Sequence, residues 1–169
     1  TPGVTGANSG MGVATAKALA ERGATVWLFC RNPQRGEAAR NRLIEDSGHS
    51  RVHLKIVDVS DLGVVKDAEH YADIESIDIL VHNAGVLLSE RQQTSTGIEQ
   101  TLATHLVGPL ALTGTLSQKL KTGSRIIWVS SGGMYTQKLK LPALHHPPEP
   151  FDGITAYAQV KRAMVIASE

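Results

Sequence analysis

Short runs of branched apolar residues alternate along the 169-residue chain with longer segments of helical character, and a glycine cluster stands where the first run meets the first such segment. This rhythm predicts an α/β fold, a doubly wound parallel sheet with helices on both faces. No internal repeat or low-complexity block interrupts it, and the length suits one hydrophobic core, so residues 1–169 are expected to form one domain.

Strands are expected at 24–29 (ATVWLF), 52–57 (VHLKIV), 77–81 (IDILV) and 125–129 (RIIWV). A truncated first strand ends at Val4, because only TPGV stands before the glycines, where about five residues belong. The chain also begins at Thr1 rather than Met, so its start is expected to be clipped. Helices are expected at 12–22, 33–45, 62–71 and 96–120, with another opening near Thr155. Gly23 sits where a left-handed cap closes the first of them. Pro109 removes a hydrogen bond inside the fourth, and apolar periodicity on both sides predicts a bend there rather than a break. Residues 132–153, GGMYTQKLKLPALHHPPEPFDG, are rich in Gly and Pro without periodicity and read as a long loop or flap of the functional kind.

With 41% apolar and 20% charged residues and a net charge of +1, the chain lacks both the charge excess of a nucleic-acid binder and the composition of a disordered tail. No stretch approaches the roughly 18 apolar residues of a membrane span, and no basic-then-apolar leader precedes the glycines. The lone cysteine, Cys30, has no disulfide partner and no zinc-site spacing. It reads as a small buried hydrophobe in a reducing, cytoplasmic setting, with a leader or anchor ahead of Thr1 left open.

In TGANSGMG, Gly6, Gly10 and Gly12 lie between the strand stub and the amphipathic segment VATAKALAER. That is the strand–turn–helix setting of a Rossmann-type dinucleotide loop, in which glycines let backbone N–H groups approach a pyrophosphate at a helix N-terminus. Asn8, Ser9 and Met11 complete the loop as cofactor contacts. About 20 residues further on, an acid suits the ribose hydroxyls of NAD and an arginine suits a 2′-phosphate. The sequence there is FCRNPQR, so NADP(H) is preferred, with Arg31 as the main contact and Arg35 as a second, while NAD(H) stays open. Arg31 also reads as a solvated residue at a strand end. Tyr157 and Lys161, four apart on a helix, share one face about 5–6 Å apart. A phenol serving as acid or base near neutral pH needs such a neighbouring ammonium.

The loop spacing G-x-x-x-G-x-G is followed in order by DVS at Asp58, HNAG at 82–85, VSSGG from Val129 and YAQVK at 157–161. This set resembles the short-chain dehydrogenase/reductase family over essentially the whole chain, and VSSGGM and PFDGITAYAQVKR resemble its retinol-dehydrogenase-like branch. The resemblance implies an oxidoreductase that interconverts an alcohol with an aldehyde or ketone on a small, apolar substrate, with a homo-oligomer compatible. It implies that Asp58 binds the adenine amino group beside Val59, that Asn83, Ala84 and Gly85 approach the cofactor, and that Ser131 holds the substrate carbonyl beside Tyr157. Ser130, one residue out of register, is the alternative to Ser131. It also implies two further strands and a Pro-Gly segment beyond Glu169, so that the C-terminal strands of the sheet are missing from this chain.

Two positions depart from the family pattern. His105 stands where an active-site asparagine kinks the long helix and offers its carbonyl to a proton-relay water, so it reads either as a fourth catalytic residue or as a packed histidine. His82 replaces the first asparagine of NNAG. These departures keep open a second reading, a catalytically weak homologue that only binds nucleotide. His145 and His146 have no nearby cysteine or carboxylate and read as loop residues, not metal ligands.

Overall fold

Strands buried on both faces are nearly all apolar, and the first two strands of the chain follow this rule with Thr5 as the one polar exception. The computed structural model describes residues 1–169. β1 (Pro2–Thr5) and β2 (Val26–Cys30) are buried at every residue. Side chains of β2 alternate between two cores, as period-2 geometry requires. Val26, Leu28 and Cys30 pack into one with Ala16, Ala20 and Leu43, and Trp27 and Phe29 into the other with Tyr71, Ile77 and Leu112. The sheet therefore carries helices on both faces. It adds β3 (Val52–Ile56), β4 (Ile77–His82) and β5 (Leu120–Trp128) in the order β3-β2-β1-β4-β5, with every neighbouring pair parallel.

α1 (Gly10–Glu21) buries Ala16 and Ala20, and Gly23 follows it with φ +83°, the expected left-handed turn. α2 (Pro33–Ser47) starts where Asn32 accepts a hydrogen bond from the Arg35 N–H and Pro33 supplies a helical φ. The expected helix at 62–71 is divided. α3 (Leu62–Lys66) stops at Asp67, which turns extended and uses its carboxylate to cap a separate 3₁₀ turn, Ala68–Tyr71.

The helix expected at 96–120 begins at Gln100, because Gly97 takes φ +79° in the turn before it and the Glu99 carboxylate accepts the Leu102 N–H. It runs unbroken through α4 (Gln100–Leu102), a π turn (Ala103–Val107) and α5 (Gly108–Thr115). The distortion expected at Pro109 thus sits just upstream of it, since position 109 has no N–H to give the carbonyl of His105 four residues before. β5 starts at Leu120, five residues ahead of the expected position, and bulges around Gly123, where its pairing jumps from Ile77–Leu120 to Ile79–Arg125.

The flap expected at 132–153 is instead a strap bound to the last helix. It contains a 3₁₀ turn (Gly132–Thr136) and α6 (Leu141–His145), and α7 (Gly153–Ala167) follows, capped by Asp152. Leu144 is buried against Leu102, Val160 and Ala163. Arg162 donates to the carbonyls of Met134 and Gln137, and the Gln159 side chain accepts the Lys140 N–H.

Gly108 fixes the distance between the long helix and the segment that follows β3, because a Cβ there would lie 1.7 Å from the carbonyl oxygen of Val59. Gly108→Ala is expected to destabilise the fold by about 3 kcal/mol or more. Gly114→Ala on the same helix, where a Cβ meets nothing, should stabilise by about 0.5–1 kcal/mol. Urea unfolding of the two variants checks the pair.

Candidate active site

Strand order reverses between β1 and β4, so the connections leaving these two strands part to opposite faces and open a crevice at their carboxyl ends. A cleft of about 520 Å³ occupies that place. Its floor is tied by Thr5, whose hydroxyl donates to the Val81 carbonyl and accepts the N–H groups of Asn83 and Ala84. The Asn83 amide donates back to the Thr5 carbonyl at 3.0 Å.

The glycine loop locks onto this tie by close approach. Gly6 has φ +64°, and a Cβ on it would lie 2.9 Å from Cα of Ala84. A Cβ on Gly12 would fall 2.3 Å from the Gly6 oxygen and 2.5 Å from the Asn83 amide nitrogen. Gly6, Asn8, Ser9 and Met11 line the cleft, whereas Gly10 is exposed outside its lining and Gly12 is buried beneath the loop. Ser9 makes no side-chain cap, which leaves first-turn N–H groups of α1 free for an anion.

Arg31, Arg35 and Asn32 stand together at one end of the cleft. Asp58 and Val59 line it after β3, with Oδ1 of Asp58 accepting both the N–H and the hydroxyl of Ser60. Asn83, Ala84 and Gly85 line it after β4.

At the other end α7 presents Tyr157 and Lys161. The Lys161 ammonium donates to the Val129 carbonyl at 2.6 Å and lies 5.6 Å from the Tyr157 ring centre. It is only 4% exposed, and burial pushes it down to about 8. Ser130 lines the cleft beside them. Ser131 does not: its hydroxyl oxygen accepts the Gly133 N–H and caps the strap's first turn, although its own O–H stays available to donate. Thr104, Val86 and Leu87 also line the cleft and Thr5 ties its floor, and none of the four carries a motif signal, since the loop motif points to its glycines with Asn8, Ser9 and Met11 and the stretch after β4 to Asn83, Ala84 and Gly85.

The short chain dehydrogenase family matches residues 3–140. The chain belongs to this family. It is 41% identical over 169 residues to human dehydrogenase/reductase SDR family member 12, covering 98% of this chain and 53% of that protein. It is 35% identical over 140 residues to mouse retinol dehydrogenase 11, covering 80% and 44%. The chain thus spans about half the length of these curated relatives. Among solved structures, a short-chain dehydrogenase from Sphingobium yanoikuyae in complex with NADPH superposes with a TM-score of 0.72 at 25% identity, over 99% of this chain and 62% of that one. L-Sorbose reductase from Gluconobacter frateurii, complexed with NADPH and L-sorbose, superposes with a TM-score of 0.77 at 25% identity, over 99% and 60%.

In this short-chain dehydrogenase both family departures are buried rings. His82 places Nε2 2.8 Å from the Thr113 hydroxyl and tilts against Trp128, with Nδ1 unpartnered. His105 is 2% exposed and sets its ring edge-on to Tyr157, 5.2 Å between centres. His145 and His146 are exposed on the strap, and no group of three His, Cys, Asp or Glu residues is placed to hold a metal. No helix is long and apolar enough to cross a membrane. Cys30 is buried, which pushes its thiol up to about 11.

Burial lowers both His82 and His105 from 6.5 to about 4. The unfolded chain therefore binds more protons between those values, so the stability these rings contribute is present above pH 6.5 and is lost as pH falls toward 4. Each should add up to about 1.4 kcal/mol per pH unit to that slope. Urea unfolding across this window is expected to give a shallower pH dependence for His82→Asn by one histidine's share.

Proposed function

We propose that the chain is the nucleotide-binding and catalytic part of an NADP(H)-dependent oxidoreductase that interconverts an alcohol and a carbonyl on an apolar small molecule. One observation carries this reading: Tyr157 and Lys161 face the same cleft as the glycine loop, Asp58 and residues 83–85. Residues 1–169 act in it as one domain, and the buried lone Cys30 suits a reducing cytoplasm.

The residues fit a nicotinamide dinucleotide. The glycine loop and the uncapped first turn of α1 would hold its pyrophosphate, Asp58 would take the adenine amino group on Oδ2, and Arg31 with Arg35 would take a 2′-phosphate. The bound cofactor gives or accepts the hydride. Tyr157 gives its phenolic proton to the substrate oxygen as a carbonyl is reduced, and takes it back as an alcohol is oxidised. The Lys161 ammonium beside it stabilises the charge left on the phenol oxygen, and the Val129 carbonyl keeps that ammonium in place. A serine hydroxyl, from Ser131 or Ser130, donates to the substrate oxygen. NADPH in the two solved neighbours and retinol in the relatives' names support the cofactor and the apolar substrate class.

A second reading, nucleotide binding without turnover, is favoured by the ring at position 105. Tyr157→Phe separates the two. The reductase reading expects kcat for an aldehyde panel to fall by about 10²–10⁴ with NADPH affinity little changed. Ser131→Ala and Ser130→Ala in the same assay identify the substrate-holding hydroxyl by the larger loss. If no aldehyde or ketone is turned over by the parent while NADPH still binds, the second reading stands.

Arg31→Asp should weaken NADPH binding by about 10–100-fold, the loss of a charged hydrogen bond, and spare NADH. Fluorescence titration with both cofactors checks it. Equal affinity of the parent for NADH and NADPH would sink the cofactor preference.

A further inference from the structure

A buried imidazole that moves protons needs one nitrogen toward the reacting groups and another toward a proton source. His105 has neither. Its Nε2 lies 3.0 Å from the Val86 N–H nitrogen and 2.9 Å from the Val86 carbonyl oxygen, so whichever tautomer it holds, its one bond goes to the same residue. Its Nδ1 is sealed from solvent without a partner. Its Cε1 points at Gly85, where a Cβ would come within 2.6 Å, so the ring fits only because position 85 carries no side chain. Its ring also stands perpendicular to that of Tyr157, with 5.2 Å between centres. Val86 and Leu87, the residues it steadies, line the same cleft as Tyr157 and Lys161.

We propose that His105 is a positioning residue whose ring clamps the Val86 backbone and backs Tyr157, so that the wall at 85–87 and the phenol are held at a fixed separation. This rests on the oxidoreductase reading for its consequence in turnover, and on geometry alone for the clamp. The helix supplies the clamp's leverage: the π turn places His105 where its ring reaches a segment some twenty residues earlier in the chain. Gly85 and His105 form a matched pair, since a larger residue at 85 collides with the ring and a smaller one at 105 leaves Val86 untied.

The test uses the intact protein and two kinds of readout. For the clamp, hydrogen exchange at the Val86 amide should speed up at least tenfold in His105→Leu and return most of the way in His105→Gln, whose amide still reaches a backbone partner. Gly85→Ala should lower the melting temperature clearly in the parent and barely in a His105→Ala background, the non-additivity expected of a colliding pair. For turnover, benzaldehyde reduction by His105→Leu should show kcat reduced at least tenfold with the NADPH dissociation constant within twofold, and the midpoints of the pH profile unmoved. Unchanged Val86 exchange in His105→Leu, or additive effects of Gly85→Ala and His105→Ala, overturns the proposal. So does a shifted pH midpoint, which would make the imidazole a proton carrier. Absence of benzaldehyde turnover in the parent would count against the oxidoreductase reading instead, with exchange and coupling still deciding the clamp.

Discussion

One hydroxyl group ties together the carboxyl ends of the two strands at which the order of this sheet reverses. Thr5 ends β1 and bonds the carbonyl of Val81 and the N–H groups of Asn83 and Ala84, all at the end of β4. These are the two strands whose connections diverge, so without a tie their carboxyl ends would be free to splay where a ligand must be gripped. Backbone groups at such a divergence have no ladder partner, and leaving them unpaired in a buried place costs about 1–3 kcal/mol each. The tie sets the height of the segment at 83–85, that height sets how close Gly6 and Gly12 come, and their approach sets where the first turn of α1 points. The cleft is a consequence of that chain of contacts.

The α7 side of the cleft is built on a different principle. Lys161 is buried far more than an ammonium tolerates unaided, and its hydrogen bond to Val129 together with the nearby Tyr157 ring offsets part of that cost. The strap from 132 to 152 closes over the same helix. Arg162 holds its first turn by two carbonyls and Leu144 fills a small apolar core beneath its second. The two charged residues of α7 next to one another, Lys161 and Arg162, therefore face different tasks: one holds charge inside the cleft and the other fastens the segment that borders it.

Periodicity made the central strands and α1 and α2 legible, because burial on both faces leaves β2 no polar residue and small residues mark the packed stripe of α1. It found the second half of β5 but missed the first, which is exposed and bulged around Gly123, and it missed the stop at Asp67, where a carboxylate prefers to cap a new turn over continuing the helix. Motif order located the cleft and most of its wall. It left Thr5 unnoticed, because a hydroxyl that bonds residues almost eighty positions away has no local signature. The choice between Ser130 and Ser131 was open in the sequence for a related reason: which of two adjacent hydroxyls turns inward depends on the strap, and Ser131 is drawn to its first turn.

The π turn at Ala103–Val107 bears on how this region tolerates changes of length. A π turn holds one residue more than an α turn spanning the same contacts. Deleting one residue from it would let the helix close to regular α geometry with α4 and α5 still in phase, and the residues left inside the turn would each take a new angular position. α5, anchored by Gly108 against Val59, would stay, and Thr104 and His105 would shift from their places in the cleft. Loops elsewhere in the sheet absorb insertions and deletions cheaply. This stretch, although helical and internal, is a register mark whose residue count is fixed by what stands on either side of it.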